Sequence, residues 1–328
     1  MATYPELWAI VLAGGEGTRL APLTTALYGR PVPKQFAVVA GTESLLAQTL
    51  ERLAHLVPRE RTIVIATLGH EEYAKCELAA FPGTRLVLQP CNRDTAAGIL
   101  VGLSHVTACA PEASILVVPS DHYVRDTDRF VSAIRETTQQ WYDSTTVLTL
   151  LGVRSETAEV EYGWIVPGLQ VRSDGSPGAP RVHTVESFIE KPSLEVARAL
   201  QQSGALWNTF VVAGLARNWW SVCEEHLPKE TSAFRRYLDE LGTAAEPRLL
   251  SQVYAAVPSI NFSRRVLERM PDRLGVVACE DVGWSDLGTP RRVFDALEQS
   301  PDADLLIQRL KRQTQQNGEL RLQSEKKE

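Results

Sequence analysis

A chain of 328 residues, 44% hydrophobic and 23% charged, has the length and composition of a large globular domain with a substantial core. Its net charge of -6 argues against nucleic acid or an anionic membrane as the main partner, so an anionic ligand must be held by local positive groups. Five scattered cysteines without C-x-x-C spacing fit reduced thiols better than a zinc site or disulfide frame; with no basic region before a short first apolar run, a cytoplasmic protein is expected.

The first apolar run, at 7–12, reads as a buried strand, and LAGGEGTRLAPLT at 12–24 follows it directly. Gly14, Gly15 and Gly17 leave backbone N–H groups free to face an anion, and Arg19 adds a fixed positive fork. A tight strand-to-helix turn with an exposed arginine is an equal alternative for this loop alone. It is not a Walker loop, because no lysine follows the glycines. A dinucleotide fingerprint fails too, since Leu20 stands where the third glycine belongs and Pro22 interrupts a long helix.

Strand-like runs at 62–66, 85–88 and 115–118 then alternate with helical patterns at 43–56 and 94–109. Short-connected strand–helix alternation predicts an α/β fold with a mainly parallel, Rossmann-like sheet flanked by helices. Ligands in such a sheet collect at strand C-termini, where the glycine loop and VVPSDH at 117–122 both lie. Between 147 and 214, strands at 147–153, 163–166, 183–189 and 206–213 surround a Gly/Pro-rich turn at 173–180 and are read as insertions that build a second wall of the cleft. Helices are expected from 215 to about 270, then a strand at 274–279 and a helix near 291–299. The nucleotidyl half is placed at about 1–145 and the sugar half at about 146–295; the polar segment 296–328 is expected to be solvated or disordered.

LAGGEGTRLAPLT followed by PKQF at 33–36 resembles the opening of sugar-phosphate nucleotidyltransferases, and PKQF in particular resembles the mannose-1-phosphate guanylyltransferases. The resemblance continues in the family's order through QPCNRDTAA at 89–97, VVPSDH, EYGWI at 161–165, FIEKP at 188–192, LWNTF at 206–210 and GWSDLG at 283–288, covering 1–295. It implies transfer of a guanylyl group from GTP to mannose 1-phosphate, which is a task of positioning and charge neutralisation. By the same resemblance Leu12, Ala13, Gly14, Gly15, Gly17, Thr18, Gln89, Arg93, Asp94 and Thr95 meet the nucleotide, and Arg19 clamps the leaving pyrophosphate. Lys34 is the charge nearest the reacting phosphates, although a solvated surface lysine is the commonest fate of this residue type. Asp121 and Asp286 are the implied Mg²⁺ ligands, each with a cap or turn aspartate as its plainer alternative, while His122 is taken as structural. Glu190 and Asn208 meet sugar hydroxyls, Lys191 the sugar phosphate and Gly163 the sugar through its backbone; adjacent strand residues face opposite ways, so Glu190 and Lys191 are expected to do separate work. Trp207 fits core and pocket equally.

Two motifs depart from the family. Asp94 replaces the asparagine of RNTAP, favouring the N–H-rich edge of guanine if it faces the base and saying nothing if it caps the next helix. LWNTF replaces WNSG, so Thr209 and Phe210 alter the expected sugar pocket. After the last helix there is no β-helical tail, cupin or isomerase segment, and transfer alone is expected. The same chemistry on a heptose or glucose 1-phosphate or with another nucleotide, and a non-catalytic nucleotide-sugar sensor, remain alternatives, as does a homodimer.

Overall fold

The computed structural model describes residues 6–138, 146–171, 182–298 and 300–325, so the turn expected at 173–180 lies outside the described residues. The first run forms β1 (Leu7–Ala13), whose side chains alternate between two cores. Ala9, Val11 and Ala13 join one hydrophobic cluster, while Trp8 and Ile10 join the other. A strand buried on both faces needs cover on both, and the helices supply it. After a single 3-10 turn comes α1 (Ala21–Tyr28), with Pro22 in its first turn, where a missing N–H costs nothing. Next is α2 (Leu45–Ala54), which starts at Leu45 because Ser44 accepts the Ala47 N–H at 3.0 Å. It lays Leu45, Leu46 and Leu50 on the first cluster.

The alternation continues with β2 (Thr62–Thr67), α3 (Glu71–Leu78), β3 (Arg85–Gln89), α4 (Asp94–Cys109) and β4 (Ser114–Pro119). The bounds of α4 are those expected, and its Ile99, Leu100 and Leu103 cover the second cluster. Then come β5 (Tyr123–Val124), α5 (Thr127–Thr138), β6 (Leu148–Arg154), β7 (Gly163–Gln170), β8 (Val182–Glu190), α6 (Leu194–Gln202) and β9 (Leu206–Leu215). The helices α7 (Ala216–His226), α8 (Pro228–Asp239), α9 (Glu246–Ala256) and α10 (Phe262–Arg265) pack Trp219, Phe234, Tyr254 and Phe262 into the second cluster. The chain closes with β10 (Leu274–Cys279), β11 (Trp284–Ser285), α11 (Pro290–Leu297) and α12 (Pro301–Glu325).

One sheet runs in the order β3-β2-β1-β4-β9-β6-β10-β8-β7, with β7 also pairing β9. Its first four strands are parallel, as is the β6–β10 pair. The inserted strands bring antiparallel neighbours, so β9 runs against both β4 and β6. A separate two-stranded pairing of β11 with β5 sets Trp284 opposite Val124 and Ser285 opposite Tyr123. That short ladder carries the chain's late GWSDLG motif to the end of β4. The segment from 296, expected to be solvated or disordered, instead forms α12, whose Leu306 is fully buried in the first cluster. Among the described residues no helix is long and apolar enough to cross a membrane.

Candidate active site

The glycine loop leaves β1 and is held from below by a residue of PKQF. Gln35, itself buried, donates its Nε2 to the carbonyls of Ala13 (2.7 Å) and Gly15 (2.9 Å). A Cβ at Gly14 would collide with the Gln89 carboxamide, and one at Gly17, where φ is +61°, would stand 2.8 Å from Lys34 Cβ. Gly17 therefore needs glycine for both approach and backbone conformation, whereas a side chain at Gly14 would have to displace the end of the Gln89 side chain. Leu12, Gly14, Gly15, Gln89, Asp94 and Thr95 line one cleft of about 570 Å³, which is floored by Pro119, Ser120 and Asp121.

Lys34 is almost wholly buried, contrary to the usual fate of lysine, and its ammonium meets Asp121 Oδ2 at 2.9 Å and the Asp286 backbone carbonyl. Burial pushes the carboxyl of Asp121 up, but Lys34 and His122 outweigh it and hold the group below its ordinary range. The same balance holds for Asp286, where Lys34 and Arg292 overcome burial. Both carboxylates are thus ionised near neutral pH. Asp286 is fully engaged. Arg292 Nη1 donates to both of its oxygens (3.0 and 3.1 Å), and the Tyr162 hydroxyl and Gly288 N–H each donate to Oδ1 at 2.9 Å. Asp121 keeps an opening, since its Oδ1 faces only the His122 ring at 3.9 Å. Burial pushes that imidazole down to about 4, so the contact is with a neutral ring.

On the second wall, Gly163 pairs with Glu190 across β7 and β8, and a Cβ at Gly163 would lie 2.7 Å from Glu190 Oε2 and 3.3 Å from Asn208 Cβ. These three therefore share one spot. Glu190 and Lys191 form no ion pair with each other among the described residues; Lys191 is exposed, at φ +54°, with its N–H on the Tyr162 carbonyl. Asn208 Oδ1 accepts the N–H of Phe210 at 3.1 Å. Trp207 is buried edge-on against Tyr162, and so is packing behind the wall.

Other expected residues sit elsewhere. Arg19 reaches across to Glu161 at 2.8 Å, near Gly288, and lies outside the cleft's lining. Arg93 is turned away, its Nε on the Tyr254 carbonyl at 3.0 Å, and Ala13 and Thr18 do not line the cleft either. Asp94 borders the cleft, where its Oδ1 accepts the N–H of the adjacent Thr95 at 2.7 Å; it is the first residue of α4, a helix that has no side-chain cap.

The pattern of the family described as Nucleotidyl transferase matches residues 8–302. The chain belongs to that family. A mannose-1-phosphate guanylyltransferase of Sinorhizobium fredii (strain NBRC 101917 / NGR234) is 31% identical over 308 residues, covering 92% of this chain and 57% of that protein. A mannose-1-phosphate guanylyltransferase of Escherichia coli (strain K12) is 29% identical over 296 residues, covering 87% and 58%. The chain thus spans less than two thirds of the length of these curated relatives. Among solved structures, a mannose-1-phosphate geranyltransferase from Thermus thermophilus superposes with a TM-score of 0.75 at 32% identity, covering 90% of this chain and 80% of that one.

Several residues of this nucleotidyl transferase that shape the site carry no signal in the motif reading. Gln35 lies inside PKQF but in the shadow of Lys34. Arg292 stands six residues past Asp286 in a stretch that reads only as helix. Arg52 of α2 is buried with no carboxylate partner among the described residues, its pKa pushed down to about 10 by burial; it donates to Thr49 Oγ1 (2.9 Å) and to the His122 carbonyl (3.1 Å), directly behind Asp121. The family generally uses Mg²⁺. Among the described residues no cluster of three or more His, Cys, Asp or Glu side chains could hold a metal; Asp121 Oδ1 on the cleft floor is the open carboxylate oxygen that suits such an ion, whereas the Asp286 carboxylate is taken by Arg292, Tyr162 and Gly288.

Proposed function

We propose that this chain transfers a guanylyl group from GTP to mannose 1-phosphate, giving GDP-mannose and pyrophosphate, in the cytoplasm. The observation that supports this reading is Asp121 on the floor of a glycine-lined cleft, bonded to a buried Lys34 that also meets the Asp286 backbone carbonyl, with Gly163, Glu190 and Asn208 gathered nearby. The named relatives among the mannose-1-phosphate guanylyltransferases support the choice of substrates.

In this reading a phosphate oxygen of the sugar 1-phosphate attacks the α-phosphorus of GTP. One P–O bond forms, the bond to the bridging oxygen breaks, and pyrophosphate leaves with the electron pair. The N–H groups of Gly14 and Gly15 face the triphosphate, held in place by Gln35. Lys34 leaves Asp121 for a phosphate oxygen, and Arg19 leaves Glu161 for the departing pyrophosphate. Glu190 and Asn208 orient the sugar hydroxyls, and Lys191 approaches the sugar phosphate. A Mg²⁺ ion would be held by Asp121, joined by Asp286 once its carboxylate left Arg292, and would supply neutralising charge to the phosphate oxygens.

A matrix of nucleoside triphosphates against sugar 1-phosphates, read by pyrophosphate release, tests this. GTP with mannose 1-phosphate should give the highest kcat/KM, because a polar site left with unpaired groups rejects a wrong partner by roughly 10⁴-fold. A tenfold preference for UTP or ATP would overturn the guanylyl assignment.

A further inference from the structure

Phe210 sits in a backbone conformation that a phenylalanine rarely adopts. Its φ is +57°, the left-handed region, where a bulky side chain meets the backbone and the conformation is strained. The surroundings hold it there. Along β9 the pairing with β6 jumps, with Val211 opposite Leu151 but Asn208 opposite Gly152, so Thr209 and Phe210 have no counterpart. The bulge is pinned on both sides: Thr209 Oγ1 donates to the Leu151 carbonyl at 2.6 Å and accepts the Val211 N–H at 3.2 Å, and Asn208 Oδ1 takes the N–H of Phe210 itself.

The strained residue projects into the ligand cleft. Phe210 is half-buried, packs on the second hydrophobic cluster and lines the cleft with Asp121, His122, Asp94 and Ser259. Among the described lining residues it is the one phenylalanine, tyrosine or tryptophan, set among small and polar side chains with Leu12, Ile65 and Pro119. It lies two residues along β9 from Asn208, which shares its spot with Gly163 and Glu190, while its own ring lines the cleft that holds Asp121. Backbone strain that a fold holds in place at a ligand site points to a use for the side chain.

We propose that Phe210 is the residue that determines which sugar 1-phosphate the cleft accepts. Its ring offers an apolar face to the sugar, favouring an acceptor whose facing edge carries C–H groups and rejecting one that projects a hydroxyl there, since the ring offers that hydroxyl no partner for the water it would lose. The role rests on the sugar 1-phosphate reading above. Glycine takes φ +57° without strain, so Phe210→Gly removes the ring and leaves the bulge its hydrogen bonds.

The experiment measures kcat/KM for mannose, glucose, galactose and 6-deoxymannose 1-phosphates, each with GTP, in the unaltered protein, Phe210→Gly and Phe210→Leu, alongside the GTP KM and the thermal midpoint. Phe210→Gly should change the ratios among the sugars by tenfold or more and keep the GTP KM within twofold, with its midpoint within a few degrees. Phe210→Leu, which keeps bulk but loses the flat ring, should fall between the two. Unchanged sugar ratios in an active, folded Phe210→Gly would overturn the proposal, and so would a shift confined to nucleotide choice, which would place the ring against the base. If Phe210→Gly unfolds, the ratios in Phe210→Leu decide alone, and no change there overturns it. Failure of the unaltered protein to use any sugar 1-phosphate would instead remove the underlying reading.

Discussion

Glu190 shows how a single side chain acquires its chemistry from its surroundings. Burial pushes its carboxyl up to about 7, Lys191 and Arg264 pull the other way, and Glu268 and Asp94 add to the rise. A raised carboxyl pKa means the group is neutral below about 7 and charged above it, so in the proposed role its strength as an acceptor for sugar hydroxyls would grow as the pH passes upward through that value. The kcat/KM for the sugar 1-phosphate should climb across this window. Glu190→Gln should flatten the climb and lower kcat/KM above it by roughly ten- to a hundredfold, the loss of one charge-assisted hydrogen bond of about 1.5–3 kcal/mol. Calorimetry should show GTP affinity unchanged. An unaltered pH limb in the variant, or equal damage to GTP binding, would remove Glu190 from the sugar wall.

The glycine loop and β9 show, at the scale of elements, what the sequence does and does not disclose. Strand positions, helix alternation and the parallel start were legible because buried strands and amphipathic helices carry their periods openly, and α4 and β10 have the bounds expected. The bulge in β9 was not, because an inserted pair of residues leaves an apolar run looking continuous; only the mismatch of Thr209 and Phe210 with the family motif hinted at it. Side-chain direction was hidden too. Arg93 shares a motif with Gln89 and Thr95, yet its guanidinium goes to α9, because the turn into α4 rotates it away. Gln35 was passed over since nothing in a one-dimensional motif says that an amide will reach back to Ala13 and Gly15. Gln35→Ala should therefore leave two loop carbonyls unpaired, at about 1–3 kcal/mol for each one buried. The expected outcome is a GTP KM raised at least fivefold with the sugar 1-phosphate KM less affected, measured by initial rates at saturating partner substrate. A GTP KM within experimental error of the unaltered protein would show that the loop keeps its shape without the amide.

For the whole molecule, the site depends on bringing the two ends of the chain together. The β11–β5 ladder sets Asp286 beside Lys34 and Asp121, and α12 ties the C-terminal end back onto the first helices. Its apolar residues are so outnumbered by charged and amide ones that the stretch reads as solvated, but one narrow face suffices when it lands on an existing core: Leu306 is fully buried there and Leu310 packs alongside. On the same helix Arg309 donates to the carbonyls of Val38 (3.1 Å) and Gly41 (2.8 Å), in the segment that follows Lys34 and Gln35. The Val38 N–H is in turn held by the Tyr28 hydroxyl of α1 at 2.7 Å. The described side chains of α12 do not line the cleft, yet Arg309 bonds the stretch that follows its buried lysine, a contact that would brace it. Leu306→Ala should lower stability by about 2–5 kcal/mol, the range for emptying a buried leucine site, and show as a fall in the thermal midpoint. Arg309→Ala removes no core packing of that kind. It should lower the midpoint less, yet raise the GTP KM more than Leu306→Ala does when both are assayed well below their midpoints, because it frees the two carbonyls beside the Lys34 turn. The reverse order of GTP KM effects would mean that α12 only adds to the core and does not brace the lysine.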